Sequence, residues 1–437
     1  MPKKKTALTI EERLQQALVP AEEQPYEVPE NWVWVRLGAI AEIVTGGTPS
    51  KKHPEYYGGN FPFYKPSDLD QGRLTYDASE YLSEEGKNVS RIIPKNSTAV
   101  CCIGSIGKCG YLMCEGTTNQ QINSAIPKIN SLCLYYYLCT ENFVQDLLSM
   151  ASATTIAIVN KSKMESCAFP LPPLSEQQRI VERIEELLAK LDEAKERLQE
   201  VADSFAVRKA AILHKAFTGE LTKQWRRENG VSDESWEEKK LSEITENQDS
   251  KRIPLSKSQR DNMNRIYDYY GASGIIDKVD DYIFEGKKLL IGEDGANLVT
   301  RSKDIAFIAD GKYWVNNHAH ILDVKDTVLL MYLCNYINNM DLIPYVTGSA
   351  QPKLTQAKMN NIKIFLPTLP EQHEIVRLID DLLARERAAQ QAAEQALASI
   401  DLMKKSILAR AFRGELGTNK ASEASALELL KQVLAEN

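Results

Sequence analysis

The chain has 437 residues, enough for two to four domains at roughly 100–200 residues each. Hydrophobic residues make up 43% and charged residues 26%, which excludes wholesale disorder, and no run approaches the 18 or so apolar residues of a membrane helix. With 53 Lys+Arg against 60 Asp+Glu the net charge is −7, so a polycationic nucleic-acid coat is excluded, whereas a DNA binder with its cations on one face is not.

In chain order, residues 1–30 form an N-terminal arm. Its basic start, Met1-Pro2-Lys3-Lys4-Lys5, has no apolar core behind it and does not read as a secretory signal; a short amphipathic helix is expected over 10–19. Residues 31–173 form the first globular domain, opening on Trp32-x4-Leu37. Its β-branched and aromatic runs, set between Gly, Pro, Asn and Asp, predict many short strands and one helix over 133–150. A first long helix covers 174–217 and a linker 218–234. The second domain, 235–368, opens on Trp236-x4-Leu241 and carries a helix over 328–341. A second long helix covers 369–413, and a tail with another short amphipathic helix covers 414–437.

The two long helices are copies. Leu171-Pro172-Pro173-Leu174-Ser175-Glu176-Gln177 returns as Leu366-Pro367-Thr368-Leu369-Pro370-Glu371-Gln372, and Ala216-Phe217-Thr218-Gly219-Glu220-Leu221 as Ala411-Phe412-Arg413-Gly414-Glu415-Leu416. The offset is 195 and needs no gap, with 21 identities in 51 aligned positions. Apolar positions Ile180, Ile184, Leu187, Leu191, Ala194, Leu198, Val201 and Phe205 alternate steps of four and three, the heptad rhythm of a coiled-coil seam. The second seam runs Ile375, Ile379, Leu382, Ala389, Ala393, Ala396, Ile400, Met403, Ile407 and is rich in alanine. Ser175 with Gln178 fits a capping box, and Gly219 and Gly414 mark the stops. Each helix of about 40 residues would span about 60 Å. The globular domains are also related, since each has a strand feeding a Gly-rich turn (104–107, 292–295) and then an amide-rich segment. The predicted fold class is therefore α+β: two recognition domains with twisted, irregular sheets, separated by two long helices forming an antiparallel coiled coil with pseudo-twofold symmetry.

The sequence offers no motif for catalytic chemistry. Gly104-Ser105-Ile106-Gly107-Lys108-Cys109 lacks the spacing and hydroxyl of a nucleotide-binding loop. Leu171-Pro172-Pro173-Leu174 lacks the polar lead and the aromatic of an amino-methyltransferase motif. Cys101, Cys102, Cys109 and Cys114 have no paired spacing and no counterpart in the second domain, so they read as packed thiols and no metal is expected. His318 and His320 lack a third ligand. The eight cysteines suggest reduced thiols in a cytoplasm.

Loop chemistry points instead to DNA. In the first domain Lys51, Lys52, Lys65 and Lys108 are candidate phosphate partners, with Thr48, Ser50 and Ser105 as backbone-oxygen donors. Asn119, Gln120 and Gln121 have the paired donor and acceptor that match an adenine edge. In the second domain the basic cluster is Lys251, Arg252 and Lys257. The readers are Asn316, Asn317 and His318, and another polar loop offers Ser349, Gln351 and Lys353. A scaffold whose coiled coil joins proteins without reading DNA is the alternative.

Together these marks resemble a specificity subunit of a Type I restriction–modification system. The resemblance rests on Gly46-Gly47-Thr48-Pro49-Ser50 with Pro54-Glu55-Tyr56-Tyr57-Gly58-Gly59, Tyr270-Gly271-Ala272-Ser273-Gly274, Ile291-Gly292-Glu293-Asp294-Gly295-Ala296, Asn317-His318, and the two repeated helix motifs. It implies a non-catalytic chain whose two domains each read half of a split, asymmetric double-stranded DNA site. The helices would fix the gap and dock two modification (methyltransferase) subunits. S-adenosylmethionine, ATP and Mg²⁺ would belong to those partners and to restriction subunits, and no cofactor to this chain. The base-contacting residues of such domains form no fixed motif, so the site residues above rest on loop chemistry alone.

Overall fold

The computed structural model describes residues 9–152, 157–348 and 350–436. The chain divides into two compact units, Met1–Arg197 with Ala396–Asn437, and Leu198–Gln395. That division cuts both long helices, so each unit holds one globular head and part of each helix.

In the first unit the head has three small sheets. A four-stranded sheet runs in the order Ala41–Thr45, Ile122–Pro127, Thr98–Cys101, Cys109–Tyr111, and a three-stranded sheet in the order Glu80–Leu82, Tyr57–Tyr64, Thr117–Thr118. The third pairs Val33–Arg36 with Ala168–Leu171, Val33 opposite Leu171. The predicted helix over 133–150 is two helices, Ser131–Leu138 and Glu141–Met150, because Thr140 caps a fresh start by accepting from the Phe143 N–H. The core gathers Ile40, Ile43, Leu134, Tyr137, Phe169 and, from the far end of the chain, Phe412 and Leu430. Both ends belong here. The helix Ile10–Ala17 packs with Ala426–Ala435, and Arg13 Nη1 donates to the Leu434 carbonyl at 3.2 Å.

The second unit repeats the plan with other side chains. One four-stranded sheet is Glu246–Asn247, Ala319–Asp323, Lys288–Gly292, Ala306–Ala309; another is Gly274–Val279, Tyr267–Gly271, Lys312–Val315, Phe284–Glu285. Glu237–Lys240 pairs with Lys363–Leu366, Glu237 opposite Leu366. Here the helix Thr327–Asn339 is unbroken.

Within each unit the long helices run antiparallel. In the first, Asp192 meets Lys404 at 2.5 Å, and Arg179 near the start of the first helix meets Glu423, in the segment beyond the end of the second, at 2.8 Å, so one sequence number rises as the other falls. In the second, Arg208 meets Glu386 at 2.5 Å, while Thr222, just past the end of the first helix, donates to Glu371 near the start of the second at 2.7 Å. The second helix is continuous over Leu369–Ala411, 43 residues or about 65 Å. The first is interrupted: Leu174–Asp203 and Phe205–Phe217 meet at Ser204, whose hydroxyl bonds back to the Glu200 carbonyl at 2.7 Å. The seams also depart from strict heptads, for Val201 and Met403 are exposed and Leu383 is buried in place of Leu382. Ser175 lies inside the first helix, one residue past its start at Leu174, and is not its cap.

The repeated Glu-Gln has a structural use. Glu176 is fully buried and accepts from Trp32 Nε1 at 2.7 Å, Asn419 at 2.9 Å and Thr418 at 3.1 Å. Glu371, equally buried, accepts from Trp236 Nε1 at 3.1 Å and from Thr222 and Arg226 at 2.7 Å each. Gln177 and Gln372 donate to the carbonyls of Pro172 and Pro367. The opening tryptophan of each head is thereby tied to the entrance of its own helix.

Candidate nucleic-acid interface

Both heads carry their polar loops on one hydrogen-bond frame. In the first, Phe63 and Tyr64 run parallel to Thr117 and Thr118; in the second, Asp268 to Tyr270 run parallel to Tyr313 to Val315. The chain then turns sharply. Asn119 N donates to the Tyr64 carbonyl (3.1 Å) and the Asn119 side-chain oxygen accepts from Gln121 N (3.1 Å). Asn316 N donates to the Tyr270 carbonyl (3.0 Å) and its side-chain oxygen accepts from His318 N (2.8 Å). A neighbouring backbone closes each turn: Cys102 N donates to the Gln121 carbonyl at 2.7 Å, and Glu293 N to the His318 carbonyl at 2.9 Å. A third segment completes it, with Val159 N on Cys102 O and Leu354 N on Glu293 O.

This frame sorts the candidates. Asn119 and Asn316 are buried and hold the turns, while Gln120 and Asn317 stand exposed at the tips. Gln121 turns inward, accepting from the Asn119 amide at 3.0 Å. Beside Gln120 lies the loop with Thr48, Ser50, Lys51 and Lys52, all exposed; Thr48 donates its hydroxyl to Gln120 Oε1. Gly46 makes this docking possible, since a Cβ there would sit 2.2 Å from the Asn119 carbonyl oxygen. Lys51 and Lys52 have no ion-pair partner among the described residues, whereas Lys65 pairs with Glu80 and Lys108 with Asp70. Ser105 is exposed on the 104–107 turn, which adjoins the frame through Cys102.

In the second head Asn317 borders a hollow of about 510 Å³ lined also by Ser256, Gln259, Arg260 and Tyr269. Ser256, Gln259 and Arg260 escaped the sequence reading; their only signal was the adjacent Lys257. Lys251 and Lys257 are exposed without ion-pair partners among the described residues. His318 pairs with Asp294 at 2.7 Å, Lys353 with Glu293 at 3.2 Å, and Gln351 is exposed. Ser349 lies outside the described residues. Arg252 does not face outward: its guanidinium joins Glu293 (2.7 Å), Asp249 (3.4 Å) and the Ala319 carbonyl (2.6 Å).

The same cluster encloses His320, whose ring nitrogens face Asp249 Oδ2 at 2.6 Å and the Leu354 carbonyl at 2.7 Å. Burial opposes the charge of Asp249, but the His320 contact and the Ile321 N–H outweigh it and hold the carboxyl below the usual range. Glu293 is lowered likewise, burial being overcome by Arg252, His320 and Lys353. The first head has neutral groups at these places, Cys102 for Glu293 and Asn123 for His320, and Asn123 donates to the Val159 carbonyl as His320 meets Leu354. Burial pushes the Cys102 thiol up to about 12. Among the described residues no group of three or more His, Cys, Asp or Glu is placed to hold a metal ion.

Fold and loops define a class: a two-headed recognition protein with each head mounted on long helices. The profile of the family described as the type I restriction modification DNA specificity domain matches residues 29–203 and 233–396, and the chain belongs to that family. Two such domains in one chain make it a DNA sequence-specificity subunit. It is 25% identical over 452 residues to the type I restriction enzyme EcoDI specificity subunit of Escherichia coli, covering 94% of this chain and 96% of that one. A putative type I restriction enzyme specificity subunit of Haemophilus influenzae is 40% identical over 147 residues, which span 33% of this chain and only 37% of that protein. The crystal structure of the HsdS subunit from Thermoanaerobacter tengcongensis superposes with a TM-score of 0.65 at 19% identity, covering 90% of this chain and 99% of that one, a likeness of fold.

Proposed function

We propose that each head reads one half of a bipartite, asymmetric double-stranded DNA site, that the antiparallel helices set the gap between the halves, and that they dock two modification subunits. S-adenosylmethionine and adenine methylation belong to those subunits. ATP, Mg²⁺ and cleavage belong to restriction subunits, and the assembly works in the cytoplasm. This chain positions the others on DNA and performs no chemistry itself. One observation carries the reading: two heads share a hydrogen-bond frame but present different exposed side chains on it. Duplicated scaffolds with divergent loops fit two different half-sites better than they fit a scaffold with no sequence to read.

The net charge of −7 fits partners that supply much of the phosphate contact. The chain alone is expected to bind DNA weakly and with strong salt dependence. Replacing residues 31–173 with another such domain, then mapping adenine methylation in the host, tests the reading. One half of the methylated sequence should change while the other half and the gap stay; an unaltered pattern would favour the scaffold.

A further inference from the structure

We propose that Gln120 and Asn317 are equivalent base-reading side chains, one in each head, each suited to the major-groove edge of adenine. The inference rests on the reading that the heads recognise DNA and names the residues that do so.

Three observations converge. First, the two residues occupy the same place: each follows a buried asparagine whose side-chain oxygen accepts from the backbone two residues on, and each turn begins with a donation to a tyrosine carbonyl. Second, the neighbours are occupied. Asn119 and Asn316 are consumed by the turns, Gln121 is held by Asn119, and His318 is held by Asp294. Asn317 makes no side-chain hydrogen bond to the protein among the described residues. Gln120 receives one, from Thr48 to its oxygen. That bond fixes the amide while leaving both N–H donors and an oxygen lone pair free. Third, lysines without an ion-pair partner among the described residues flank each tip. Lys51 and Lys52 extend the loop that carries Thr48, and Lys257 follows Ser256, which lines the same hollow as Asn317.

The chemistry follows from the inventory. A carboxamide offers one acceptor and one donor side by side, matching the adenine N6 amino group and N7. Flanking ammonium groups hold phosphates without discriminating sequence, so that the amide at the tip supplies the discrimination.

The test is selection from a randomised duplex library by the full chain with its partner subunits, comparing wild type with Gln120→Ala, Gln120→Glu and Asn317→Ala. Both tips are exposed, so folding should be retained. Gln120→Ala should relax one base-pair position in one half-site by about 10- to 100-fold, leaving the other half and the affinity for random DNA unchanged. Asn317→Ala should do the same in the other half. Gln120→Glu, which replaces the donor by an acceptor, should move the preference at that position from adenine toward cytosine. An unchanged sequence preference, or a parallel loss of affinity for every sequence, would overturn the proposal. A wild-type assembly that selects no sequence fails the recognition reading itself and this inference with it; that result appears before any variant is made.

Discussion

Glu176 and Glu371 are both fully buried, yet they keep different company. Among the described residues Glu176 receives only neutral donors, whereas Glu371 faces Arg226, whose side chain is 7% exposed. Removing one partner of a buried ion pair strands the other charge. Arg226 keeps Asp233 at 2.9 Å and is not stranded outright, so Glu371→Gln is expected to destabilise the second unit by about 1.5–3 kcal/mol, the worth of a charged hydrogen bond. Glu176→Gln should cost the first unit less, because an amide oxygen still accepts from Trp32. Urea unfolding followed by hydrogen exchange in each unit measures both, and equal losses would refute the distinction. The Asp249–Glu293 cluster gives a pH prediction. Both carboxyls titrate below their unfolded values of about 3.9 and 4.3, so their contribution is present above those values and is lost as pH falls through the folded ones. Below about pH 4, amides of 316–323 should lose exchange protection before those of 119–125, where Cys102 and Asn123 carry no such charge. Loss in the reverse order would show that the cluster is not the acid-sensitive part. At this scale the sequence displayed the polar residues but not their orientation. Gln120 and Asn119 look alike as letters. Arg252 looks like a phosphate ligand until Glu293, 41 residues on, and the Asp249–His320 contact, 71 residues apart, enclose it.

The long helices were the most legible elements, since their repeat and apolar rhythm are local properties of the chain. Their irregularities were not. The first helix is interrupted at Ser204, whose hydroxyl shares the Glu200 carbonyl with its backbone N–H, and Thr140 divides the helical segment of the first head by capping its second half. Both residues have side chains that compete for backbone groups, a contest decided by packing. Short strands such as Thr117–Thr118, whose pairing partners lie over 50 residues away, leave almost no periodic trace. The alanine-rich seam supports a prediction of its own. Ala393 is 4% exposed within the second unit, so Ala393→Leu must displace packed neighbours. A loss of about 1–3 kcal/mol is expected, visible as a lowered urea midpoint. An unaltered midpoint would mean that the seam has slack there.

At the scale of the whole molecule, the 195-residue offset made the helix duplication readable, and shared motifs at other spacings, Trp32 and Trp236 and the two Gly-rich turns, made the two heads readable. What these could not show is that the compact units are not successive stretches of chain. The second unit is drawn from one continuous run, Leu198–Gln395, whereas the first is completed by Ala396–Asn437. Phe412 and Leu430 lie in its core, and Thr418 and Asn419 satisfy Glu176. Order of synthesis and order of completion are therefore reversed. As the chain leaves the ribosome, at about 5–20 residues per second, everything the later-encoded unit needs has emerged while the earlier-encoded one still lacks its final 42 residues. Until the segment beyond the second helix arrives, Glu176 lacks its Thr418 and Asn419 donors, and the half made first waits for the half made second.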